Sequence, residues 1–376
     1  MAGLLPNIDP DGLLEYSVVY TDRSLNHMSE SFQTVMKGIS ATLKQVYNAK
    51  SVAVVPGSGT FAMEAVARQF ATDKKCLVIR NGWFSFRWTE IFETCSIPEQ
   101  ATVLKAQPLE NQHQSPFMPA SIESVVATIK QEKPDVVFAP HVETSSGIIL
   151  PDDYIKAVAD AVHSVDGMLV LDCIASGAVW VDMELCGVDV LISAPQKGWS
   201  GSPCCGLVMM NDLAEERAQL TKSTSYACDL GKWLQIMQAY ENGGHAYHAT
   251  MPTDGLAVFY QVMRETEIYG FDKARDNQLE LGSKVRATLS DKGIKSVAAQ
   301  GFEAPGVVVS YTSDADIHTG LKFKDIGFQI AAGVPLRCDE PDDFLTFRLG
   351  LFGLDKLQNI DRTVDTLSVA LDSVTN

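Results

Sequence analysis

Two residues with reactive side chains each follow a short apolar segment of the sequence. Asp172 ends the segment GMLVLD, and Lys197 comes shortly after VDVLIS. A third apolar segment, SVAVVP, runs directly into GSGT at residues 57–60. If these segments are parallel strands, their carboxyl ends meet at the edge of the sheet where α/β proteins bind ligands. We therefore expect a carboxylate, an amine and a glycine-containing loop to meet in one site.

Residues 57–60 have the composition of a phosphate-binding turn. Glycines between a strand and a helix leave backbone N–H groups exposed, and the helix N-terminus adds its dipole. Ser58 and Thr60 add hydroxyl groups. The stretch also fits the GxGxxA form of the dinucleotide-binding fingerprint, but the next strand ends in Arg80 rather than in an acidic residue. An arginine at this position suits the 2′-phosphate of NADP, so an NADP-dependent oxidoreductase is a remote alternative.

One cofactor uses all three groups together. Pyridoxal 5'-phosphate (PLP) needs an anion site for its phosphate, a lysine for its aldehyde and a carboxylate that keeps its ring nitrogen protonated. Burial disfavours the charged form of a lysine, which leaves its amine nucleophilic. We therefore predict a PLP-dependent enzyme in which Lys197 and Asp172 are catalytic.

The elements that must position these residues alternate along the chain. Continuous apolar segments, typical of strands buried on both faces, occupy residues 51–56, 75–80, 135–140, 167–172, 188–193 and 204–210. Stretches with helical periodicity separate them, so the sequence predicts an α/β fold with a large, mostly parallel sheet. After about residue 255 longer helical stretches and two strand segments predict a smaller α+β domain. We expect an N-terminal arm (1–20), a large PLP-binding domain (21–255) and a small C-terminal domain (256–376).

Composition excludes several classes of protein. The formal net charge is −17, and lysines and arginines form no block, which argues against partners such as nucleic acid or an anionic membrane surface. We find neither a signal-peptide pattern nor an apolar run of the length that spans a bilayer, so we expect a cytoplasmic protein. The eight cysteines lack the paired spacing of a zinc site, and no metal site is predicted.

Several motifs resemble those of a known family. The stretch from about residue 50 to 255 resembles the class V, fold-type I PLP-dependent aminotransferases, and most closely their alanine–glyoxylate/serine–pyruvate branch. The motifs are GSGTFAMEA, RNGWFSFR, HVETSSGIILP, the Asp-to-Lys segment that runs from LVLD to APQKGW, and FRLGLFG. The resemblance implies the fold-type I PLP-dependent transferase fold.

The resemblance also implies a role for each site residue. Lys197 would form the Schiff base and move the proton of the substrate α-carbon, Asp172 would pair with the ring nitrogen, and Phe84 would stack on the ring. The phosphate would be held by Ser58, Gly59, Thr60 and Gln196. Thr144 or Ser145 would lie near the ring hydroxyl. In this family a neighbouring subunit completes the phosphate site, which implies a homodimer with shared active sites in which Tyr247 and Thr250 cross the interface.

Arg348 is the predicted substrate-binding residue. If its neighbours Phe347 and Leu349 face the core, alternation along the strand turns the arginine toward the cleft between the domains. A guanidinium there suits a planar anion held by two parallel hydrogen bonds, although an interdomain salt bridge is the alternative. The resemblance assigns this motif to the substrate carboxylate.

These features predict an aminotransferase for small substrates. We expect it to move an amino group between an amino acid of the alanine, serine or aspartate type and a 2-oxo acid such as glyoxylate or pyruvate. An aminophosphonate transaminase is one alternative. A PLP-dependent lyase or cysteine desulfurase is another, with Cys338 as its candidate thiol. Trp199, two residues after the lysine, either narrows the pocket or packs behind the loop.

Overall fold

The secondary structure of the chain is seen in a computed structural model that describes residues 13–98 and 100–375. Its helices are α1 (Glu30–Tyr47), α2 (Gly59–Phe70), α3 (Trp83–Cys95), α4 (Ile122–Glu132), α5 (Asp152–His163), α6 (Met183–Cys186), α7 (Asp212–Leu220), α8 (Leu230–Glu241), α9 (Thr253–Tyr269), α10 (Phe271–Asp291), α11 (Ala315–Thr319), α12 (Leu321–Asp325), α13 (Leu354–Gln358) and α14 (Ile360–Thr375). Its strands are β1 (Ser51–Pro56), β2 (Lys75–Arg80), β3 (Gln100–Lys105), β4 (Gln107–Pro108), β5 (Phe117–Met118), β6 (Val136–Pro140), β7 (Val142–Glu143), β8 (Ile148–Ile149), β9 (Met168–Asp172), β10 (Val190–Ser193), β11 (Cys205–Met210), β12 (Val307–Tyr311), β13 (Ala331–Ala332) and β14 (Thr346–Gly350).

A seven-stranded sheet forms the centre of the larger part of the molecule. Its strand order is β1-β11-β10-β9-β6-β2-β3. The strand β11 is antiparallel to both of its neighbours, and the other neighbouring pairs are parallel. Helices α2, α3, α5 and α8 pack against the sheet. The predicted mostly parallel α/β fold is therefore confirmed.

Each of the six predicted strands is present in this sheet, with bounds that differ by at most about two residues. The sequence pattern missed β3. This strand pairs with β2 alone and lies at the edge of the sheet, where its residues 101–105 are exposed or half-buried. It therefore lacks the continuous apolar run that marks a strand covered on both faces.

A second, three-stranded antiparallel sheet with the order β12-β14-β13 lies in the C-terminal part of the chain. Helices α10 and α14 contact each other beside it, and Leu281, Val285 and Leu371 are buried in their shared core. This sheet and these helices form the smaller α+β part of the molecule that the sequence predicts. The predicted domain boundary near residue 255 stays a prediction, as does the N-terminal arm 1–20, of which residues 1–12 lie outside the described residues.

The strand directions bring the predicted site residues to one edge. Strands β1 and β10 are both antiparallel to β11, so they run in the same direction, and β9 is parallel to β10. The carboxyl ends of these three strands therefore lie at the same edge of the large sheet. Pro56, Asp172 and Ser193 end the three strands there.

Candidate active site

A cavity of about 230 Å³ lies at this carboxyl edge. Eight of the predicted site residues line it, namely Ser58, Gly59, Thr60, Phe84, Thr144, Asp172, Gln196 and Lys197. Residues that the sequence reasoning did not single out also line it, namely Met63, Arg87, Val142, Ile174 and Ala175. The fold thus brings residues from well-separated parts of the sequence into one pocket.

One end of the cavity has the features of an anion-binding site, which are a helix N-terminus and a free hydroxyl group. Helix α2 begins at Gly59, and Ser58 precedes it in an extended conformation without using its side chain to cap the helix. The first N–H groups of the helix and the Ser58 hydroxyl are therefore available to a ligand. A Cβ atom on Gly59 would lie 2.6 Å from Cδ1 of Ile174, so a larger residue here would press on the wall of the cavity.

Gln196, which also lines the cavity, has an unpartnered amide oxygen. Its Oε1 is buried and has no hydrogen-bond partner within the described part of the chain. Buried polar atoms are normally paired, so an unpaired amide oxygen on a cavity-lining residue favours a ligand that carries a hydrogen-bond donor. Together with the anion site and the lysine, this group of residues fits a phosphorylated aldehyde such as PLP.

Asp172 lies in the cavity wall as the last residue of β9 and is only 8% exposed. Burial raises the pKa of its carboxyl group to about 7. The backbone N–H of Ile174 donates to Oδ1 over 3.0 Å, and Arg87 is a nearby positive charge, but both act more weakly in the opposite direction. A buried carboxylate of this kind favours a cationic ligand atom beside it.

Lys197 lies in the loop after β10 in surroundings that favour its neutral form. Burial lowers the pKa of its ammonium group, and the positive charge of Arg348 lowers it further. Its Nζ lies 5.3 Å from the ring centroid of Phe352, a residue of the C-terminal part of the chain. A neutral amine is the nucleophilic form of lysine, so this site suits Schiff-base chemistry.

Arg348 and Phe84 meet between the two parts of the molecule. Phe347 and Leu349 are buried, as predicted, and the Arg348 guanidinium carbon lies 5.7 Å from the Phe84 ring centroid. Its Nε donates to the Ala332 carbonyl oxygen over 2.7 Å. Within residues 13–98 and 100–375, no carboxylate lies at ion-pair distance from this guanidinium. The terminal nitrogens of Arg348 are thus not engaged in an interdomain salt bridge.

Apart from Arg348, three predicted site residues do not line this cavity. Ser145 is fully buried, with its hydroxyl accepting from Trp83 N and donating to Glu143, so Thr144 is the residue of the predicted pair that reaches the cavity.

Tyr247 and Thr250 are joined by a 3.1 Å contact between their hydroxyl oxygens, and the Tyr247 side chain is 54% exposed. Their predicted contribution to a neighbouring subunit stays a prediction.

Arg87 is the main polar site residue that sequence reasoning missed. Its Nη1 donates to Thr60 Oγ1 over 3.1 Å, and its guanidinium carbon lies 5.1 Å from the Phe84 ring centroid. Arg87 thereby links the anion-binding turn to Phe84. The signal was present, because residues three apart on a helix share a face and Arg87 follows Phe84 by three.

The geometry also separates the alternatives left open by the sequence. Cys338 is 1% exposed, its Sγ lies 3.4 Å from the Arg80 carbonyl oxygen, and burial raises the pKa of its thiol to about 12. It is therefore unsuited to act as a mobile desulfurase thiolate. Arg80 is the residue on which the NADP alternative depends. It is 8% exposed, donates to Thr89 and to the Arg337 carbonyl oxygen, and does not line the cavity.

Trp199 packs behind the lysine loop rather than into the cavity. It is fully buried, and its ring centroid lies 4.8 Å from that of Trp180. Tyr47 and Phe259 contact it edge-on. Of the two interpretations left open by the sequence, the structure supports packing.

The fold and the cavity together define a fold-type I PLP-dependent enzyme, and comparison with known proteins identifies the family. The model of the aminotransferase class-V family matches residues 13–329. The chain belongs to the class V aminotransferase family and is a PLP-dependent aminotransferase.

Curated relatives match along most of the chain. Alanine–glyoxylate aminotransferase of Rattus norvegicus is 24% identical over 93% of this chain and 82% of its own length. The 2-aminoethylphosphonate–pyruvate transaminase of Bacillus mycoides is 26% identical over 92% of this chain and 90% of its own length. The crystal structure of alanine–glyoxylate aminotransferase from Nostoc sp. superposes with a TM-score of 0.77 at 19% identity, over 92% of this chain and 88% of that one. The last comparison supports the fold.

Proposed function

We propose that the protein transfers an amino group from a small amino acid of the alanine, serine or aspartate type to a 2-oxo acid such as glyoxylate or pyruvate. The observation that carries the proposal is the guanidinium of Arg348, which lies beside Phe84 without an ion-pair partner among the described residues. Both substrates of such a reaction carry a carboxylate, so one arginine serves both half-reactions. The names of the alanine–glyoxylate relatives support this choice of substrates.

Residues of the cavity, together with Arg348 beside Phe84, have separate roles in the reaction. When bound, PLP supplies an electron sink for the electrons released at the substrate α-carbon. The N-terminus of α2, with Ser58, binds the phosphate, and Asp172 holds the proton on the ring nitrogen. In the donor half-reaction the amine of Lys197 would take the proton from the α-carbon and deliver it to the former aldehyde carbon of the cofactor, and in the acceptor half-reaction it would carry a proton in the opposite direction. Arg348 orients the substrate carboxylate with its terminal nitrogens.

Single amino acids offered one at a time test the proposal. A true donor converts the bound cofactor from its aldehyde form to its amine form, which is followed by absorbance, and yields one equivalent of the matching 2-oxo acid. A 2-oxo acid acceptor then reverses the change. Release of ammonia or sulfide in place of this reversible exchange indicates a lyase or desulfurase and overturns the proposal.

A second candidate donor is an aminophosphonate. A relative named 2-aminoethylphosphonate–pyruvate transaminase is 26% identical to this chain over most of its length. A guanidinium binds a phosphonate as well as it binds a carboxylate, because both present two oxygens to the fork. Conversion of the cofactor by 2-aminoethylphosphonate, at a rate above that with alanine, favours this donor.

We further propose a cytoplasmic homodimer in which Tyr247 and Thr250 of one protomer complete the phosphate site of the other. The two residues are linked to each other at the surface, away from the cavity of their own chain. Across the described residues, the helices are too short or too polar to span a membrane. Sedimentation of the purified protein, with and without PLP, measures its assembly.

A further inference from the structure

Glu143 is a buried carboxylate beneath the cavity. Its side chain is 0% exposed. Oε1 accepts hydrogen bonds from Phe84 N (3.2 Å), Ser145 N (3.1 Å) and Ser145 Oγ (2.8 Å). Oε2 accepts hydrogen bonds from Ser85 N (2.8 Å) and Ser85 Oγ (2.7 Å). Five donors thus converge on one carboxylate that does not itself line the cavity.

These hydrogen bonds join two walls of the PLP cavity. Phe84 belongs to the first turn of α3, and Thr144 follows Glu143 in the chain; both line the cavity. The carboxylate therefore holds the backbone of Phe84 directly and that of Thr144 through its neighbour Ser145. Gly82 permits this close approach, because a Cβ atom there would lie 1.9 Å from Ser145 Oγ and 2.7 Å from Glu143 Cγ.

The charge of Glu143 is balanced by N–H groups rather than by a cation. Among the described residues, no lysine or arginine nitrogen lies within ion-pair distance of it. The carboxylate instead faces the N-terminus of α3, where free N–H groups and the helix dipole stabilise an anion. Its charge also acts on the site: burial is the main cause that raises the pKa of Asp172 and lowers the pKa of Arg348, and the charge of Glu143 adds to the first change and opposes the second.

We propose that Glu143 is a positioning residue of the cofactor site, which sets the position of Phe84 and Thr144 against the PLP ring. The proposal concerns the binding of the cofactor and not the choice of amino donor or acceptor. Its test uses no substrate, so the outcome does not depend on which substrates the enzyme uses.

Glu143→Gln is the informative substitution because it changes the shape of the side chain very little. Three backbone N–H groups, from Phe84, Ser85 and Ser145, point at the two carboxylate oxygens. A glutamine has one oxygen and one NH₂ group, so in either orientation at least one backbone N–H faces another donor. The first turn of α3 must then shift, and Phe84 shifts with it.

The experiment titrates PLP into protein stripped of cofactor and records both the dissociation constant and the induced circular dichroism of the bound cofactor. Glu143→Gln is expected to raise the dissociation constant for PLP about tenfold or more. This factor corresponds to the loss of one hydrogen bond to a charged acceptor. The induced circular dichroism should change as well, because the ring is held differently. A dissociation constant within about twofold of that of the parent protein, with an unchanged dichroism spectrum, overturns the proposal.

Asp189→Asn is the matched control. Asp189 is also a buried carboxylate held by several donors, Leu169 N at 2.7 Å, Asn211 Nδ2 at 2.8 Å and His163 Nε2 at 2.8 Å, but it does not line the cavity. Its replacement should lower the melting temperature and leave PLP affinity unchanged. Equal losses of PLP affinity in both variants indicate general destabilisation and overturn the positioning role.

Ser145→Ala is a milder second variant that keeps the proposal testable if Glu143→Gln does not fold. It removes the hydroxyl that donates to Glu143 and accepts from Trp83 N, and it leaves the carboxylate in place. We expect the same direction of change with a smaller magnitude, a dissociation constant raised about threefold to tenfold. An unchanged constant for this variant contradicts the proposal.

Discussion

Asp172 should make the cofactor-free protein less stable as the pH rises. Its pKa is about 7 in the folded chain against a reference value of 3.8. Between these values the folded state keeps the proton that the unfolded state releases, so the free energy of unfolding falls as the pH increases. The loss is about 2 kcal/mol at pH 5.5 and about 4 kcal/mol at pH 8.5, where the carboxylate is ionised in both states.

Asp172→Asn removes this loss. Asparagine has nearly the same shape and keeps an oxygen that accepts from Ile174 N, but it carries no charge to bury. The stripped variant should therefore be more stable than the stripped parent protein, and the difference should grow by about 2 kcal/mol between pH 5.5 and pH 8.5. Other titrating groups are common to both proteins and cancel in this comparison.

Binding of PLP should reverse this order of stability, so that the loaded parent protein is more stable than the loaded variant. A cation at the ring nitrogen offsets the Asp172 charge in the loaded parent protein, and the variant loses a charge-assisted hydrogen bond of about 1.5–3 kcal/mol. Urea unfolding of both proteins, each with and without PLP, at the two pH values measures the eight free energies of unfolding that these comparisons need. We expect PLP to stabilise the parent protein more than the variant, and turnover of the variant to fall far more than its cofactor occupancy. Equal unfolding free energies for the two stripped proteins at both pH values would refute this reasoning.

Three further substitutions test the remaining assignments. Lys197→Ala should leave a folded protein that binds PLP non-covalently and turns over at least about a hundredfold more slowly, because the amine that carries the proton is gone; near-normal turnover contradicts its role. Arg348→Lys should keep the cofactor colour and raise KM about tenfold or more for both amino donor and oxo acid, because lysine keeps the charge but loses the fork; unchanged kinetics with a lower melting temperature assign Arg348 to the domain contact. Tyr247→Phe should weaken PLP binding, and mixing it with Lys197→Ala chains should restore one fully native site per hybrid dimer; activity of a purely monomeric enzyme argues against shared sites.

The strands and the reactive residues at their ends could be predicted from the sequence. Strands buried on both faces require continuous apolar runs, and parallel strands bring their carboxyl ends to one edge, so Asp172 and Lys197 were predicted to meet. The alternation of Phe347, Arg348 and Leu349 likewise predicted which side of β14 carries the guanidinium. These are local patterns with periods of two residues, or apolar runs of a few residues, which a sequence displays directly.

Contacts between distant segments were decided by the tertiary structure alone. The sequence left open whether Trp199 narrows the pocket, and the packing of Trp180 and Tyr47 around it settled that question. It offered Cys338 as a reactive thiol, but burial beside the Arg80 carbonyl raises the pKa of that thiol and removes it from the cavity. Three of the five donors to Glu143 come from Phe84 and Ser85 in the first turn of α3, 58 or 59 residues earlier in the chain, and nothing in the sequence indicates this contact; the other two belong to Ser145 in its own turn. Burial and the donors that surround a charge depend on which segments the fold packs together, and those segments are far apart in the chain.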